Sequence, residues 1–303
     1  MLTRFVAARY LLSHQKQRYF SWITNLTLLG IAIGVSALIV VISVLNGFEH
    51  ELTNRFLNAH APIMAYRYPA GMSKPLKWAE ILKKDFPDEV SAASPFIHYE
   101  TMAKKGSIMH GVMVRGIDPV RREKIQPISK LVKPKSALKD LALEEKKLPD
   151  EAGLIIGSGL ADILNVKVGE RLKLVSPNNK QFTDMKSFKV LGLYRSGLKR
   201  YDNRLILMSV TAAGSFFNMG KIVTGLEIGL KDPNISEIVT EKMEDKYNLS
   251  FREWKSFNRP LFAAIERERV VISLIVAMVV LVAGFNILTT IFEIGRASCR
   301  ERV

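Results

Sequence analysis

Two long stretches of this sequence contain no charged residue, and they constrain the fold more than any other feature. The first stretch runs for 30 residues from Tyr19 to Phe48, and the second runs for 23 residues from Val270 to Phe292. A helix needs about 20 consecutive apolar residues to cross the hydrocarbon core of a bilayer. The apolar runs Leu26 to Leu45 and Val270 to Phe292 are both long enough, so the sequence predicts a membrane protein with two spans.

The short segment before the first span is basic, and this sets the expected orientation. Residues 1–22 contain four Lys or Arg side chains and no acidic one, whereas the segment Asn46 to Arg269 has a net charge of +10. Basic residues in short flanking segments stay in the cytoplasm, while long loops are exported largely regardless of charge. We therefore expect a cytoplasmic N-terminus and an exported domain between the spans. A cleaved signal peptide is disfavoured because no small-x-small site follows Leu45.

These features divide the chain into five segments. We predict a cytoplasmic segment 1–22, a first span 23–45, an exported domain with helical stalks 46–269, a second span 270–292 and a last segment 293–303. From Ile294 the last segment resembles, residue for residue, the translation of a common DNA-sequencing adapter, and we interpret 293–303 as such an artefact. A genuine Arg-rich cytoplasmic arm is the other interpretation. The single cysteine, Cys299, lies here, so no disulfide is expected in the rest of the chain.

The pattern between the spans mixes helical and strand periodicity. The predicted class is α+β, with two transmembrane helices flanking a large exported mixed α/β domain of two lobes that meet near Pro149 to Gly153. Short or alternating apolar runs predict strands at residues 90–96, 108–114, 154–156, 171–175, 188–193, 205–208 and 225–230. Helical spacing predicts helices at 75–86, at 158–164 with Ser158 as the N-cap, at 211–217 and at 235–247.

Apolar side chains continue at helical spacing beyond both spans, on the side of the exported domain. The pattern predicts two long helices with apolar faces that contact each other or a ligand. The side chains that form these stripes are Leu45, Phe48, Leu52 and Phe56 after the first span, and Leu261, Ala264 and Ile265 before the second.

Two features inside the spans are typical of helix packing. Gly30 and Gly34 form a G-x-x-x-G pattern, which lets a second helix approach closely, although the pattern also arises by chance in membrane spans. Asn286 places an amide at bilayer depth, where a polar group needs a partner. Both features favour assembly with further helices.

No motif for catalysis, metal binding or nucleotide binding is complete. Gly157-Ser158-Gly159 follows a predicted strand, but Asp162 occupies the third glycine position of a dinucleotide-binding loop. His50-Glu51 begins like a zinc-protease motif, but Asn54 stands where the second histidine would be. There is no phosphate-binding P-loop. We therefore expect a chain that is not an enzyme and that carries neither a metal site nor a cofactor.

The basic exported domain invites a nucleic-acid partner, since a positive surface attracts phosphates. No recognition-helix or RNA-binding signature is present, and an exported location disfavours this interpretation. An anionic lipid surface or an acidic partner explains the charge better, and charge that serves solubility alone explains it equally well.

Several segments together resemble a known family. Phe5-Val6-Ala7-Ala8-Arg9-Tyr10, Val44-Leu45-Asn46-Gly47-Phe48-Glu49, Leu164-Asn165-Val166-Lys167-Val168-Gly169-Glu170 and Phe285-Asn286-Ile287 resemble segments of bacterial lipoprotein-releasing ABC transporter permeases. These are of the LolC/LolE type, within the FtsX/MacB-like permeases. The resemblance implies four spans, so that this sequence would be truncated after the second span. It also implies a location in the bacterial inner membrane, with the large domain in the periplasm.

The resemblance further implies partners and a function. The partners are a cytoplasmic ABC ATPase that binds ATP and Mg²⁺, a second permease subunit in a homo- or heterodimer, a lipoprotein substrate and a periplasmic lipoprotein carrier, with no nucleic acid. The function is that of a permease subunit of an ATP-driven transporter that releases lipoproteins from the inner membrane towards the carrier. The alternatives are a MacB/FtsX-like permease that transmits ATPase motion to an efflux duct or a cell-wall hydrolase, and a two-span sensor or anchored enzyme. The LolC role, the LolE role and a combined subunit stay open, as does the substrate range.

Two sets of site residues follow from the resemblance. Lipoprotein acyl chains are expected to contact the stripes next to the membrane, at Ile42, Leu45, Phe48, Phe262 and Ile265, where mutual helix packing is the rival explanation. A carrier-binding hook is expected in the loop 175–186, at Pro177, Gln181, Phe182 and Met185, although this loop is shorter than in the family and a plain hairpin is the alternative.

Overall fold

The computed structural model describes residues 18–143, 152–175 and 185–300, which form parts of two compact units. One unit contains the chain up to Glu51 and from Arg259 onwards, and the other runs from Leu52 to Asn258. The α-helices in these ranges are α1 (Arg18–Ala59), α2 (Pro75–Asp85), α3 (Pro119–Ile125), α4 (Ser136–Leu143), α5 (Ser158–Leu164), α6 (Lys199–Asp202), α7 (Val210–Phe216), α8 (Ser236–Lys246) and α9 (Arg259–Arg300).

The strands of the described ranges lie in the second unit. They are β1 (Ile63–Tyr66), β2 (Val90–Lys105), β3 (Ile108–Ile117), β4 (Val132–Lys133), β5 (Gly153–Gly157), β6 (Arg171–Val175), β7 (Met185–Tyr194), β8 (Leu205–Ser209), β9 (Gly225–Leu230) and β10 (Ser250–Glu253). Short 3₁₀ helices occur at Ile128–Lys130, Pro233–Ile235 and Trp254–Asn258.

The two long helices α1 and α9 contain 42 residues each. A rise of 1.5 Å per residue makes a helix of this length roughly 60 Å long, about twice the thickness of a hydrocarbon core. The segments Leu29–Ala59 and Trp254–Thr289 are long and apolar enough to cross a membrane, by length and composition. The helices therefore continue well beyond the predicted spans, as the apolar stripes indicated, while the span limits 23–45 and 270–292 stay predictions.

The ten described strands form one sheet in the order β10-β1-β9-β2-β3-β8-β5-β7-β4, with β6 paired to β2 and β7. The pairs β3–β8 and β5–β7 are parallel, and the other pairs are antiparallel. The long strand β2 pairs with β9 through its first half and with β3 through its second half. Helices and strands are thus combined in an α+β domain, which confirms the predicted fold class.

The expected lobe boundary near residues 149–153 is wrong. Strand β9, which comes late in the chain, lies between β1 and β2, and β8 lies between β3 and β5. Strands from before and after the boundary therefore alternate across the sheet. Local sequence pattern carries no signal for this arrangement, because strand neighbours are selected by pairing between distant parts of the chain.

Most predicted elements are present, with three differences. The strand predicted at 90–96 continues to Lys105, because this stretch pairs with a second partner. Ser158 is the first residue of α5 rather than its cap, since Gly157 holds the N-cap position without a side-chain bond. The elements β1, α3, β4, α6 and β10 were also not predicted, and each of them contains at most seven residues.

Candidate functional site

An apolar groove lies between α1 and α9, within the unit that the two helices form. Its cavity volume is about 410 Å³, within the range of sites that bind small apolar ligands. The side chains that line it are Ile42, Leu45, Asn46, Phe48 and Glu49 from α1, and Ile265, Glu268, Arg269, Ile272, Ser273 and Val276 from α9.

Four of the five residues predicted to contact acyl chains line this groove. Ile42, Leu45 and Phe48 lie on α1, and Ile265 lies on α9. Phe48 is 55% exposed, so the packing within this chain leaves much of its ring available to a ligand. The fifth residue, Phe262, is buried and does not line the groove. The structure therefore brings four of these side chains together, and their contact with acyl chains stays a prediction.

An ion pair joins the two helices at the groove. The Nη2 atom of Arg269 lies 2.5 Å from Oε2 of Glu49, and both side chains are more than one third exposed. The carbonyl oxygen of Arg269 also accepts a hydrogen bond of 2.9 Å from the Ser273 hydroxyl. The groove thus has an apolar wall with charged side chains beside it, those of Glu49, Glu268 and Arg269, which suits a ligand that has a long apolar part and a polar end.

The two glycines predicted to pack helices have open space beside them within the described chain. A Cβ atom added to Gly30 or to Gly34 would meet no atom within 4 Å. Asn286, the third residue of this prediction, lies on an exposed part of α9. The close approach that Gly30 and Gly34 would permit is therefore not made by this chain's described helices. The role of all three residues in packing against further helices stays a prediction.

Three of the four predicted hook residues, Pro177, Gln181 and Phe182, lie outside the described residues. The fourth, Met185, is the first residue of β7 and pairs with Val175 at the end of β6. The two strands on either side of the loop are therefore partners, as in a hairpin. The carbonyl oxygen of Val175 also accepts a 2.7 Å hydrogen bond from the Thr101 hydroxyl.

A buried ionic cluster lies where α1 ends in the sheet domain, and the sequence analysis missed it. Glu227 on β9 contacts two arginines: Oε1 meets Nη2 of Arg115 on β3, and Oε2 lies 2.7 Å from Nε of Arg122 on α3. All three side chains are at most 5% exposed. These contacts are ionic, because neither carboxylate oxygen accepts a hydrogen bond of ordinary geometry within the described residues.

The cluster has one more positive charge than negative charge, and the C-terminal end of α1 contacts Arg115, one of its two arginines. Nη1 of Arg115 donates hydrogen bonds to the Ala59 carbonyl at 3.3 Å and to the Tyr201 hydroxyl at 3.2 Å. The Tyr194 hydroxyl donates a 2.6 Å hydrogen bond to the Asn58 carbonyl. The last carbonyls of a helix have no partner inside the helix and carry partial negative charge. The end of α1 therefore complements the buried arginine.

The protonation of this cluster follows from its surroundings. Burial alone would lower the pKa of Arg115, but the Glu227 carboxylate and the nearby Tyr201 and Tyr66 raise it above its ordinary value. Burial raises the pKa of Tyr194 well above its ordinary value, so its hydroxyl stays a donor. A signal for this cluster was present in the sequence, since Arg115 and Glu227 interrupt otherwise apolar strands with opposite charges.

Burial also lowers the pKa of His60, which follows directly after α1, to about 3, with added effects of Arg115 and Arg122. Its ring stacks on Phe257 at 4.2 Å and meets Tyr201 edge-on at 5.4 Å. His60 is thus a neutral ring at neutral pH. Among the residues that the structure describes, no group of three His, Cys, Asp or Glu side chains could hold a metal ion.

A family model and several curated proteins match this chain. Residues 24–246 match the family model described as the MacB-like periplasmic core domain. The chain is 28% identical over 299 residues to the lipoprotein-releasing system transmembrane protein LolC of Neisseria meningitidis, and the match covers 96% of this chain and 70% of that protein. It is also 28% identical over 299 residues to the LolE protein of Haemophilus influenzae, covering 95% and 69%.

Two solved structures that a structural comparison matches to this chain are a periplasmic region and an extracellular domain. The periplasmic region of MacB from Actinobacillus actinomycetemcomitans gives a TM-score of 0.41 at 9% identity, over 68% of this chain and 95% of that structure. The extracellular domain of the transporter YknZ from Gram-positive bacteria gives a TM-score of 0.40 at 12% identity, over 63% and 98%.

Proposed function

The chain belongs to the family with a MacB-like periplasmic core domain and is a permease of the LolC/LolE type, and from this premise we propose that it helps to release lipoproteins from the membrane. In this proposal it is a subunit of an ATP-driven transporter that passes lipoproteins from the bacterial inner membrane to a periplasmic carrier. The names of its relatives, which describe a lipoprotein-releasing system, support the proposal.

The chain would act as a permease without catalytic groups of its own. ATP and Mg²⁺ would bind to a cytoplasmic ATPase, and a second permease subunit would complete the membrane part. The four basic residues and the lack of acidic residues in 1–22 support a cytoplasmic N-terminus, with the domain 46–269 in the periplasm. The carrier would dock on the periplasmic side, where the hook residues are predicted.

The observation that carries the proposal is the groove between α1 and α9. Lipoprotein acyl chains need an apolar surface shielded from water, and each buried methylene contributes about 0.8 kcal/mol. Ile42, Leu45, Phe48 and Ile265 supply such a surface, and the Glu49–Arg269 pair provides polar groups beside it. The groove would therefore accept the acyl chains and leave the polypeptide outside the apolar wall.

The test is site-specific photocrosslinking in the assembled transporter. A photoreactive residue at Leu45 or Phe48 should capture an acylated lipoprotein, and ATP hydrolysis by the partner should reduce the captured fraction. The matched control is Val44, which lies on the same helix, is 64% exposed and does not line the groove. Its crosslinking should be much weaker.

Two outcomes would contradict the proposal in different ways. Equal capture of a non-acylated substrate would overturn the acyl contact but leave lipoprotein release intact. No capture at any groove position, together with no ATP-dependent release of lipoprotein, would overturn the function and favour a permease that drives an efflux duct or a cell-wall hydrolase.

A further inference from the structure

A second cavity, separate from the groove, opens on the surface of the sheet domain, which comprises residues 52–258. We call it the aromatic cleft, and its volume is about 580 Å³. Its walls come from the segment 67–71 after β1, from His98 and Tyr99 on β2, and from the segment 217–224 that leads into β9, with Arg252 of β10 at one side. The residues that line the groove are not part of it.

The charge in this cleft has one sign. Arg67, Arg115 and Arg252 contribute to the lining, and no Asp or Glu does. Arg115 pairs with Glu227, but Arg67 and Arg252 form no ion pair with any of the described residues, and both are exposed. The guanidinium of Arg252 lies 6.0 Å from the centre of the Tyr66 ring, which is a cation–π contact. Two cations without an acidic partner therefore face the cleft.

Exposed aromatic rings line the same cleft, and each of them stacks on another aromatic ring of the domain. Tyr68 is 68% exposed and stacks on Tyr66 at 5.6 Å, while Tyr99 is 39% exposed and stacks on Phe217 at 4.6 Å. Rings fixed in this way lose little conformational entropy when a ligand covers them. Tyrosine and arginine are also the residue types that contribute most at protein interfaces.

The loop that forms one wall is fixed in place. Met72 and Val223 exchange two backbone hydrogen bonds, at 2.8 and 3.1 Å. Gly71 has a φ of +71°, and a Cβ atom there would lie 2.5 Å from Cγ2 of Ile222, so only glycine fits this close approach. The cleft is therefore formed before any ligand arrives.

We propose that the aromatic cleft binds an extended acidic peptide segment of a partner protein. Its carboxylates would pair with Arg67 and Arg252, and its apolar side chains would cover Tyr68 and Tyr99. The complementary charge selects an acidic ligand, and the pairing of tyrosine with arginine favours a polypeptide over a lipid headgroup. The proposal goes beyond lipoprotein release and does not depend on it.

The experiment measures the binding of a fluorescent peptide to the full chain in detergent. The probe is a decapeptide with alternating Glu and Phe, and the comparison peptide has Gln in place of each Glu. The acidic peptide should bind with a lower Kd than the Gln peptide. The double variant Arg67→Gln/Arg252→Gln should raise the Kd by about tenfold or more, since charge-assisted hydrogen bonds are lost.

The control variants test whether the effect belongs to the cleft. Arg121→Gln/Lys77→Gln removes the same charge from exposed positions outside the cleft and should leave the Kd within about twofold, because distant surface charges are screened. Arg67→Lys/Arg252→Lys keeps the charge and should retain most of the binding. Tyr68→Ser should raise the Kd of the acidic peptide and of the Gln peptide by the same factor.

Three results would overturn the proposal. One is equal affinity for the acidic and the Gln peptide, and another is an equal loss in the cleft variant and the charge-matched control. The third is a competition result in which short-chain phosphatidylglycerol displaces the fluorescent acidic peptide at the same concentration as the unlabelled peptide does. This result would identify an anionic lipid headgroup as the ligand. None of these measurements uses ATP or lipoprotein, so each can fail while the proposed transport function stands.

Discussion

The same chemical contact, an arginine beside a glutamate, occurs in two very different places in this molecule. Between α1 and α9, Arg269 and Glu49 meet at the side of an apolar groove, with 66% and 38% of their side chains exposed. In the sheet domain, Arg115, Arg122 and Glu227 are at most 5% exposed. Exposed pairs are screened by solvent and contribute little, whereas a buried charge without its partner is very costly.

This comparison separates two roles. The side chains of the groove are held by few polar contacts besides the exposed Glu49–Arg269 pair, so they remain available to a ligand. The buried cluster fixes β3, β9 and α3 against each other and holds the last carbonyls of α1. Removing a charge from the cluster is therefore expected to lower the free energy of unfolding, whereas removing a charge from the groove is expected to change mainly the binding of a ligand.

The strongest test of this difference is Glu227→Ala. The substitution leaves two buried arginines without a carboxylate, and breaking a buried ion pair from one side costs about 3–5 kcal/mol. Thermal unfolding of the full chain in detergent, followed by circular dichroism, should show a larger loss of stability than either Tyr194→Phe or Glu49→Gln causes. Replacing Arg115, Arg122 and Glu227 together by Met should cost less than Glu227→Ala alone. A loss below about 1 kcal/mol for Glu227→Ala would remove the contrast between the two sites.

A second test uses pH and the neutral histidines beside the cluster. The pKa of His60 is lowered from 6.5 to about 3 and that of His98 to about 4, both mainly by burial. The unfolded chain therefore binds protons that the folded chain does not, so stability is complete above pH 6.5 and falls as the pH drops towards 3. For His60 the loss at pH 5 is about 2 kcal/mol.

His60→Gln should therefore flatten the dependence of unfolding on pH between 6.5 and 4. An identical slope in the wild-type chain and in His60→Gln would show that the folded state accommodates the charged ring.

A third test removes a single hydrogen bond at the end of α1. Tyr194→Phe leaves the Asn58 carbonyl without its 2.6 Å partner, and a buried polar group that loses its partner costs about 1–3 kcal/mol. The control is Tyr99→Phe, because this hydroxyl belongs to an exposed ring, and it should change the unfolding free energy by less than about 0.5 kcal/mol. Equal effects of the two substitutions would argue against a structural role of the α1 terminus.

The smallest effect is expected at the exposed pair. Glu49→Gln should reduce stability by less than about 1 kcal/mol, and the difference should shrink as the salt concentration rises. The same unfolding measurement at low and high salt checks this. A loss as large as that of Glu227→Ala would mean that the pair is shielded from solvent and that the groove is more constrained than its exposure indicates.

Local pattern was sufficient for most helices and strands and for part of the site. The stripes that contain Leu45 and Phe48 could be read from helical spacing, and both residues line the groove. The acyl-contact prediction was less accurate at Phe262, which is buried and does not line the groove. Helical spacing identifies the apolar face of a helix, but small rotations of the helix decide which side chains of that face contact a neighbour.

The sequence by itself determined the two apolar helices, the α+β class and the resemblance to lipoprotein-releasing permeases, because these depend on runs and motifs of adjacent residues. Only the tertiary structure decided the order of the strands, the convergence of Arg115, Arg122 and Glu227 on the end of α1, and the cleft in which Arg67 and Arg252 meet exposed tyrosines. Glu227 is more than 100 positions from either arginine of the cluster, and no local preference specifies a contact over that distance. Such contacts arise when the sheet pairs distant strands, since burying one charge requires that its partner be placed beside it.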